Sequence, residues 1–79
     1  MTLLAEFTVE PFEAGRPGPH VRAALEAAGG AGLELDVGPL GTAMTGPDGQ
    51  VLATVDKVLR AAMAEGATRV TLQVSVPGG

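Results

Sequence analysis

The chain has 79 residues, of which 46% are hydrophobic, and its formal net charge is −4. This length is enough for one domain, residues 1–79, and too short for two separate hydrophobic cores. The five basic residues are spread along the chain, which argues against nucleic-acid binding. Cysteine is absent, which excludes disulfides and thiolate metal sites.

The first predicted element is a strand that begins at Leu3. Its apolar residues alternate with a second set, in the order Leu3, Leu4, Ala5, Glu6, Phe7, Thr8, Val9 and Glu10. A period of two is typical of a strand with one buried face. The segment has no basic leader and no continuous apolar run, so it does not resemble a signal peptide or a membrane span. We therefore expect a cytoplasmic protein.

A helix and a second strand are predicted next. Pro19 suits the first turn of a helix. An apolar stripe at helical spacing follows, at Val21, Ala24, Leu25 and Ala28. Gly29 and Gly30 are expected to end this helix in the left-handed conformation. The second strand alternates Leu33, Leu35 and Val37 with Glu34 and Asp36.

The sequence VGPLGTAMTG then predicts a turn at Gly38–Pro39 and a third strand from Leu40 to Thr45. A turn at 46–49 should follow, in which Asp48 caps the second helix. This helix has a broad apolar stripe, listed as Val51, Leu52, Val55, Val58, Leu59, Ala62 and Met63. We expect Leu52, Val55 and Leu59 to face the sheet, and Gly66 to end the helix.

The last predicted strand alternates Val70, Leu72, Val74 and Val76 with Arg69, Thr71, Gln73 and Ser75. The predicted order is therefore βαββαβ, a ferredoxin-like α+β fold. Its four-stranded antiparallel sheet has the order 4-1-3-2, with both helices on one face. The other face is left open.

The open face should carry the polar residues of each strand and the small residues of the third. Gly41, Ala43 and Thr45 alternate with Met44, which takes the core side. Small side chains at the centre of a sheet leave a shallow floor for a planar, cationic or hydrogen-bonding ring. A solvated surface without a ligand is an alternative for the same pattern.

Other chemistries have less support from the residues. Glu6 and Glu10 could hold a hard cation together with Glu34 or Asp36, although no ligand loop is present. The chain has one histidine, His20, and one serine, Ser75, on elements that need not meet, so we expect no catalytic residues and no enzyme. A phosphate-binding loop requires a lysine at a fixed offset, which the glycine-rich segment lacks.

LLAEFTVEPF, VGPLGTAMTG and EGATRVTLQVSV together resemble the small thiamine-binding proteins of the YkoF-like superfamily. The resemblance covers nearly the whole chain, and its most specific parts are VEPF, PLGT and the G-x-x-R-V entry to the last strand. It implies a ferredoxin-like, cytoplasmic homo-oligomer that binds thiamine or its hydroxymethylpyrimidine part without catalysis. The chain departs from the family at Thr45, where a glutamate is common, and at Leu59, where a histidine is common.

The resemblance and the acidic open face together suggest a set of ligand-binding residues. Glu6 and Glu10 are expected to favour the thiazolium cation. Polar contacts to the aminopyrimidine are expected from Thr8, Thr71, Gln73 and the backbone near Gly41 and Thr42, with Phe12 reaching over a ring. Thiamine is then a ligand, not a catalytic cofactor, and we expect no metal. We expect a homodimer or a dimer of dimers; a structural or regulatory oligomerisation domain without a ligand is the alternative function.

Overall fold

The chain folds in the order βαββαβ. A computed structural model describes residues 1–11, 18–38 and 41–78. The elements are β1 (Thr2–Glu10), α1 (Pro19–Gly29), β2 (Glu34–Val37), β3 (Thr42–Pro47), α2 (Asp48–Ala64) and β4 (Arg69–Ser75). The strands form one sheet in the order β2-β3-β1-β4, and neighbouring strands are antiparallel. The predicted ferredoxin-like fold and strand order 4-1-3-2 are confirmed, because the observed order is the same one read from the other edge.

Both helices lie on one face of the sheet because each joins two parallel strands that have another strand between them. α1 links β1 to β2 across β3, and α2 links β3 to β4 across β1. Right-handed connections of this kind place both helices on the same side, where α1 and α2 pack against each other and against β1. Neither α1 nor α2 covers the opposite face of the sheet.

The hydrophobic core lies between the helices and the sheet. Its buried members are Leu3, Ala5, Phe7, Val9, Ala24, Ala28, Met44, Val51, Val55, Val58 and Ala62. Thr54 is buried among them, and its hydroxyl donates to the Gln50 carbonyl at 2.7 Å. This bond supplies the partner that a buried polar group requires. Because Leu3, Ala5, Phe7, Val9 and Met44 are all buried, the predicted alternation of β1 and the core position of Met44 are confirmed.

α1 begins at Pro19 and ends at Gly29, as the sequence predicts, but the predicted conformation at its end is not found. Pro19 is the first helical residue, as predicted, and Gly18 is the N-cap. The prediction of a left-handed residue at Gly29 or Gly30 is wrong, because Gly30 has φ −74° and its N–H still donates to the Glu26 carbonyl. The left-handed conformation falls on Gly32, with φ +72°.

The boundaries of β3 also differ from the prediction of residues 40–45. Leu40 lies outside the described residues. Gly46 and Pro47 continue the strand opposite Leu3 and Thr2 of β1 instead of forming a turn. Gly46 suits this position because a Cβ there would lie 2.5 Å from Leu33 Cδ2.

The N-terminus of α2 lacks the predicted aspartate cap. Pro47 is the N-cap, Asp48 is the first helical residue, and no side chain caps the helix by a hydrogen bond. The Asp48 N–H instead donates to the Met1 carbonyl at 2.9 Å. Since β3 leads directly into α2, Asp48 is already inside the first turn and cannot occupy the capping position. Gly66 follows the helix with φ +101°, in agreement with the predicted end.

The buried stripe of α2 is narrower than the apolar pattern predicts. Val55 is buried and Leu59 is partly buried against the core, but Leu52 and Met63 are 52% and 49% exposed. The prediction that Leu52 faces the sheet is therefore wrong. Leu52 and Met63 lie on a flank of the helix about 100–140° from Val51 and Val58. None of the helices within residues 1–11, 18–38 and 41–78 is long and apolar enough to cross a membrane.

Candidate functional site

A shallow pocket of about 480 Å³ lies on the open face of the sheet. It spans the middle of the four strands on the side that neither α1 nor α2 covers. Its lining residues are Glu6, Phe7, Thr8, Asp36, Gly38, Gly41, Thr42, Ala43, Thr71 and Gln73. Of the three small residues predicted to form the floor, Gly41 and Ala43 line this pocket and Thr45 does not.

One row of side chains crosses the pocket from edge to edge. Asp36 lies opposite Ala43, Ala43 opposite Glu6, and Glu6 opposite Gln73. Residues directly opposite each other in antiparallel strands point to the same face. Because neighbouring strands are about 4.8 Å apart, the two acidic positions lie about 10 Å apart with Ala43 between them. The short alanine side chain thus leaves a gap between two carboxylates.

A second row, of threonines and glycine, borders the first. Thr8 lies opposite Thr71, and Gly41, the residue directly before β3, approaches Thr8. A Cβ on Gly41 would lie 3.1 Å from Thr8 Cγ2 and 3.2 Å from the Phe7 carbonyl oxygen. The Gly41 carbonyl accepts a hydrogen bond of 2.8 Å from the Gly38 N–H. Glycine at position 41 therefore lets the two strands approach closely and keeps this side of the floor low.

Among the residues that the structure describes, those that line the pocket carry a net negative charge. Glu6 and Asp36 are exposed, and no lining residue is basic. Such a surface attracts cations, but an exposed ion pair contributes only about 0–1 kcal/mol. The threonines and Gln73 add hydrogen-bond donors and acceptors. This combination suits a flat cationic ligand that also has polar ring atoms.

Six of the predicted binding residues lie together in the pocket, namely Glu6, Thr8, Gly41, Thr42, Thr71 and Gln73. The Thr42 side chain is buried on the core side, opposite Phe7 and Val37, so it lines the pocket through its backbone. Glu10 is not among the lining residues; its carboxylate is 3.9 Å from Arg69 Nη1. Phe12 lies outside the described residues. Of the two glutamates predicted to favour a cation, the structure therefore places only Glu6 in the pocket.

Four lining residues were not predicted from the sequence to bind a ligand, namely Phe7, Asp36, Gly38 and Ala43. Asp36 and Ala43 are the two of these that belong to the first row of side chains. Alternation alone places both Glu34 and Asp36 on the open face. The register of β2 distinguishes them, because Asp36 lies opposite Ala43 whereas Glu34 lies opposite Thr45. Thr45 and Leu59, the two departures from the family pattern, are also outside the pocket lining. Cross-strand register is the missing signal, and one sequence does not contain it.

Solved structures confirm the class of fold. A domain of unknown function from Bacillus cereus shares 23% identity with a TM-score of 0.71, over 94% of this chain and 72% of that one. A candidate thiamine biosynthesis or salvage protein from Thermotoga maritima shares 24% identity with a TM-score of 0.69, over 95% and 81%. A hypothetical protein from Methanocaldococcus jannascii shares 16% identity with a TM-score of 0.72, over 99% and 80%. No significant match is found among curated proteins.

The sequence identifies the protein family. Residues 5–77 match the model of the thiamine-binding protein family, which is nearly the full length of the chain. The chain therefore belongs to the thiamine-binding protein family, and the resemblance described above is confirmed.

Proposed function

We propose that the protein binds thiamine or its hydroxymethylpyrimidine part in the pocket on the open face, without catalysing a reaction. The observation that carries this proposal is the row in which Ala43 separates Asp36 from Glu6. Membership of the thiamine-binding family supports the choice of ligand. We propose that binding takes place in the cytoplasm.

In this proposal the carboxylates of Asp36 and Glu6, on either side of Ala43, offset the positive charge of thiamine. Its thiazolium ring is permanently cationic and cannot lose its charge when it leaves water, so desolvation must be offset by nearby negative groups. A ring lying over Ala43 would have Asp36 on one side and Glu6 on the other. The two acidic residues then share the role that the sequence analysis assigned to Glu6 and Glu10.

The aminopyrimidine requires a different set of contacts. Thr8, Thr71 and Gln73 present hydroxyl and amide groups along the β1 and β4 side of the pocket. These groups both donate and accept hydrogen bonds, as do the ring nitrogens and the amino group of the pyrimidine taken together. We propose that the pyrimidine lies on this side and the thiazolium over Ala43.

Affinity in such an open pocket requires that water be excluded from it. Exposed ion pairs alone are too weak, so a second protein surface or an aromatic side chain must cover part of the ligand. We propose that the protein is a homodimer or a dimer of dimers and that Phe12 contributes to this cover. A domain of this size has a thin stability margin, which association would increase.

Titration calorimetry on three proteins tests the proposal. Wild type should bind thiamine, and Asp36→Asn should weaken thiamine binding by about tenfold, or about 1.4 kcal/mol. Binding of the uncharged hydroxymethylpyrimidine should change less than twofold. The matched control is Glu34→Gln, on the same strand and face but outside the pocket lining, which should bind thiamine as wild type does.

Three outcomes would contradict parts of the proposal. Absence of heat with both ligands at millimolar concentration would reject ligand binding and leave a structural or regulatory oligomerisation domain. Equal losses for both ligands in Asp36→Asn would retain the site but reject the charge argument. Mass spectrometry of thiamine after incubation should return the unaltered compound, and a converted product would reject the non-catalytic role.

A further inference from the structure

The polar side chains on the β1 and β4 side of the pocket differ in the hydrogen bonds they can make. Thr8, Thr71 and Gln73 line this side together with Glu6. A hydroxyl donates or accepts, and a glutamine amide presents either its oxygen or its NH2 group to the same ligand atom after a half-turn. An ionised carboxylate only accepts. Within the described lining, Glu6 is therefore the side chain on this side that requires a donor from the ligand.

Glu6 lies on a central strand, between Ala43 of β3 and Gln73 of β4. Directly opposite residues in an antiparallel sheet have Cβ atoms about 5 Å apart, so the Glu6 carboxylate has a methyl group on one side and an amide on the other. Asp36, the other acidic lining residue, lies beyond Ala43, about 10 Å from Glu6. A single ring beside Gln73 can therefore contact Glu6 without reaching Asp36.

The charges around Glu6 favour a cation in this position. Among the described lining residues, none is basic and none is a histidine. Arg69 is on the same face, but its Nη1 atom lies 3.9 Å from the Glu10 carboxylate. Glu10 is four positions from Glu6, about 13 Å along the strand, which exceeds the screening length of about 8–10 Å at ordinary ionic strength. The remaining charged residues on this face, Glu34 and Asp36 of β2, are acidic.

Two kinds of pyrimidine answer differently to an acceptor-only, negatively charged group. The hydroxymethylpyrimidine of thiamine is a 4-aminopyrimidine, and its amino group makes ring nitrogen N1 basic enough to take up a proton in the weakly acidic range. The protonated ring has a positive charge and an N1–H donor, so its bond to a carboxylate is charge-assisted. A 4-oxopyrimidine stays neutral in this range. It has an N–H donor at N3, but the carbonyl oxygen beside that donor repels a carboxylate.

We propose that Glu6 selects 4-aminopyrimidine rings over 4-oxopyrimidine rings by binding the aminopyrimidine in its protonated form. Because this selection rests on the proposed function, it adds to that function the class of pyrimidine and the protonation state in which it binds. The ring takes its proton from the buffer, and N1–H donates to the Glu6 carboxylate, which gives a pair with no net charge. Gln73, Thr8 and Thr71 hold the ring by bonds that suit either pyrimidine.

The direction of the pH dependence follows from this pairing. A nearby carboxylate favours the charged form of the bound ring and raises its pKa above that of the free ring, so binding becomes tighter as the pH falls. A tenfold preference for the protonated ring predicts about fivefold tighter binding of hydroxymethylpyrimidine at ~pH 6 than at ~pH 8. Carboxylates ordinarily titrate near pH ~4, below this interval. His20 lies on α1, outside the pocket lining, and any contribution from it remains in Glu6→Gln.

Calorimetry with hydroxymethylpyrimidine and its 4-oxo analogue tests the selection. At ~pH 6, wild type should bind the amino compound about tenfold more tightly than the oxo compound. Glu6→Gln replaces the carboxylate with an amide of the same shape, which can donate or accept, so its preference should fall below about twofold. The matched control is Glu10→Gln, on the same strand and face but outside the pocket lining, which should keep the wild-type preference.

The same titration in two buffers of different ionisation enthalpy counts the protons taken up on binding. At ~pH 6.5, wild type should take up about half a proton per hydroxymethylpyrimidine, and Glu6→Gln should take up close to none. Binding without proton uptake, equal binding of the two pyrimidines by wild type, or a preference that survives in Glu6→Gln would overturn the role of Glu6. Binding of thiamine with no binding of either pyrimidine would overturn it as well. Absence of heat with thiamine and both pyrimidines would reject the proposed function itself, and this selection with it.

Discussion

The two faces of the sheet are made by alternate residues of the same strands, yet they depend on different properties. On the helix side, Phe7 and Met44 are buried, and their contribution depends on apolar volume. On the open side, Glu6 and Ala43 lie in a pocket, and their contribution depends on which residues lie opposite each other. Under the proposed function, neighbouring positions in one strand therefore affect different properties, stability on one face and ligand binding on the other. Substitutions on one face should change one property and leave the other nearly unaltered.

The largest expected effect is on the helix side, at Val55. Val55→Asp would bury an unpaired carboxylate against the sheet and lower the free energy of unfolding by about 4 kcal/mol or more. This loss is comparable with the total stability of a small domain. Thermal and urea unfolding followed by circular dichroism should show no cooperative transition. The control Ala53→Asp, at an exposed position of α2, should cost about 1 kcal/mol or less.

A Val55→Asp protein that folds and unfolds cooperatively would show that Val55 does not pack against the helix side of the sheet. The orientation of α2 would then have to be different from the one that buries Val51, Val55 and Val58.

The next largest effect is expected on the open face, at Ala43. Ala43→Leu would fill the gap between Asp36 and Glu6 and weaken thiamine binding by about thirtyfold, or about 2 kcal/mol. Its free energy of unfolding should change by less than about 1 kcal/mol because the side chain points away from the core. Thr45→Leu, on the same strand and face but outside the pocket, should retain wild-type affinity. If Ala43→Leu bound thiamine as well as wild type in calorimetry, the ligand would not lie on this floor.

Phosphorylated thiamine gives a smaller effect that sharpens the description of the open face. The diphosphate group is anionic, and the described lining contains two carboxylates and no basic side chain. Like charges disfavour binding, so thiamine diphosphate should bind about tenfold more weakly than thiamine in competition calorimetry. The difference should decrease in high salt, because these side chains are exposed. Tighter binding of the diphosphate would contradict the proposed electrostatics.

The smallest effect is expected at Glu10, at the end of β1. Its carboxylate lies near Arg69 and outside the pocket lining, so Glu10→Gln should alter thiamine affinity by less than about twofold. Glu6→Gln should weaken binding by about tenfold under the same conditions. A larger loss for Glu10→Gln than for Glu6→Gln would restore the role that the sequence analysis gave to Glu10.

The helix side of the molecule could be predicted from the sequence more fully than the open side. Periods of two and 3.6 identify Leu3, Phe7 and Val58 as core residues, because burial depends on the local pattern. The pattern fails at Leu52, where the apolar stripe of α2 is broader than the surface that the sheet offers. It also fails at Gly46 and Pro47, where pairing with β1 overrides a strong turn signal.

The open side depends on relations between strands that are distant in the sequence. Alternation predicted Glu6, Thr8, Thr71 and Gln73 on this face, and the pocket contains all four. It could not separate Asp36 from Glu34, because that difference comes from the register of β2 against β3. Nor could it separate Glu6 from Glu10, which lie on the same face of β1 but have different neighbours. Such distinctions require the assembled sheet.

The most direct test of the central claim is a two-dimensional NMR titration of the wild-type protein with thiamine. Saturable shifts are expected in the amides of Glu6, Asp36, Ala43 and Gln73, with the α2 amides from Val51 to Ala62 nearly unchanged. Shifts confined to α2, or no shifts at millimolar thiamine, would contradict the claim that the open face of the sheet binds the ligand.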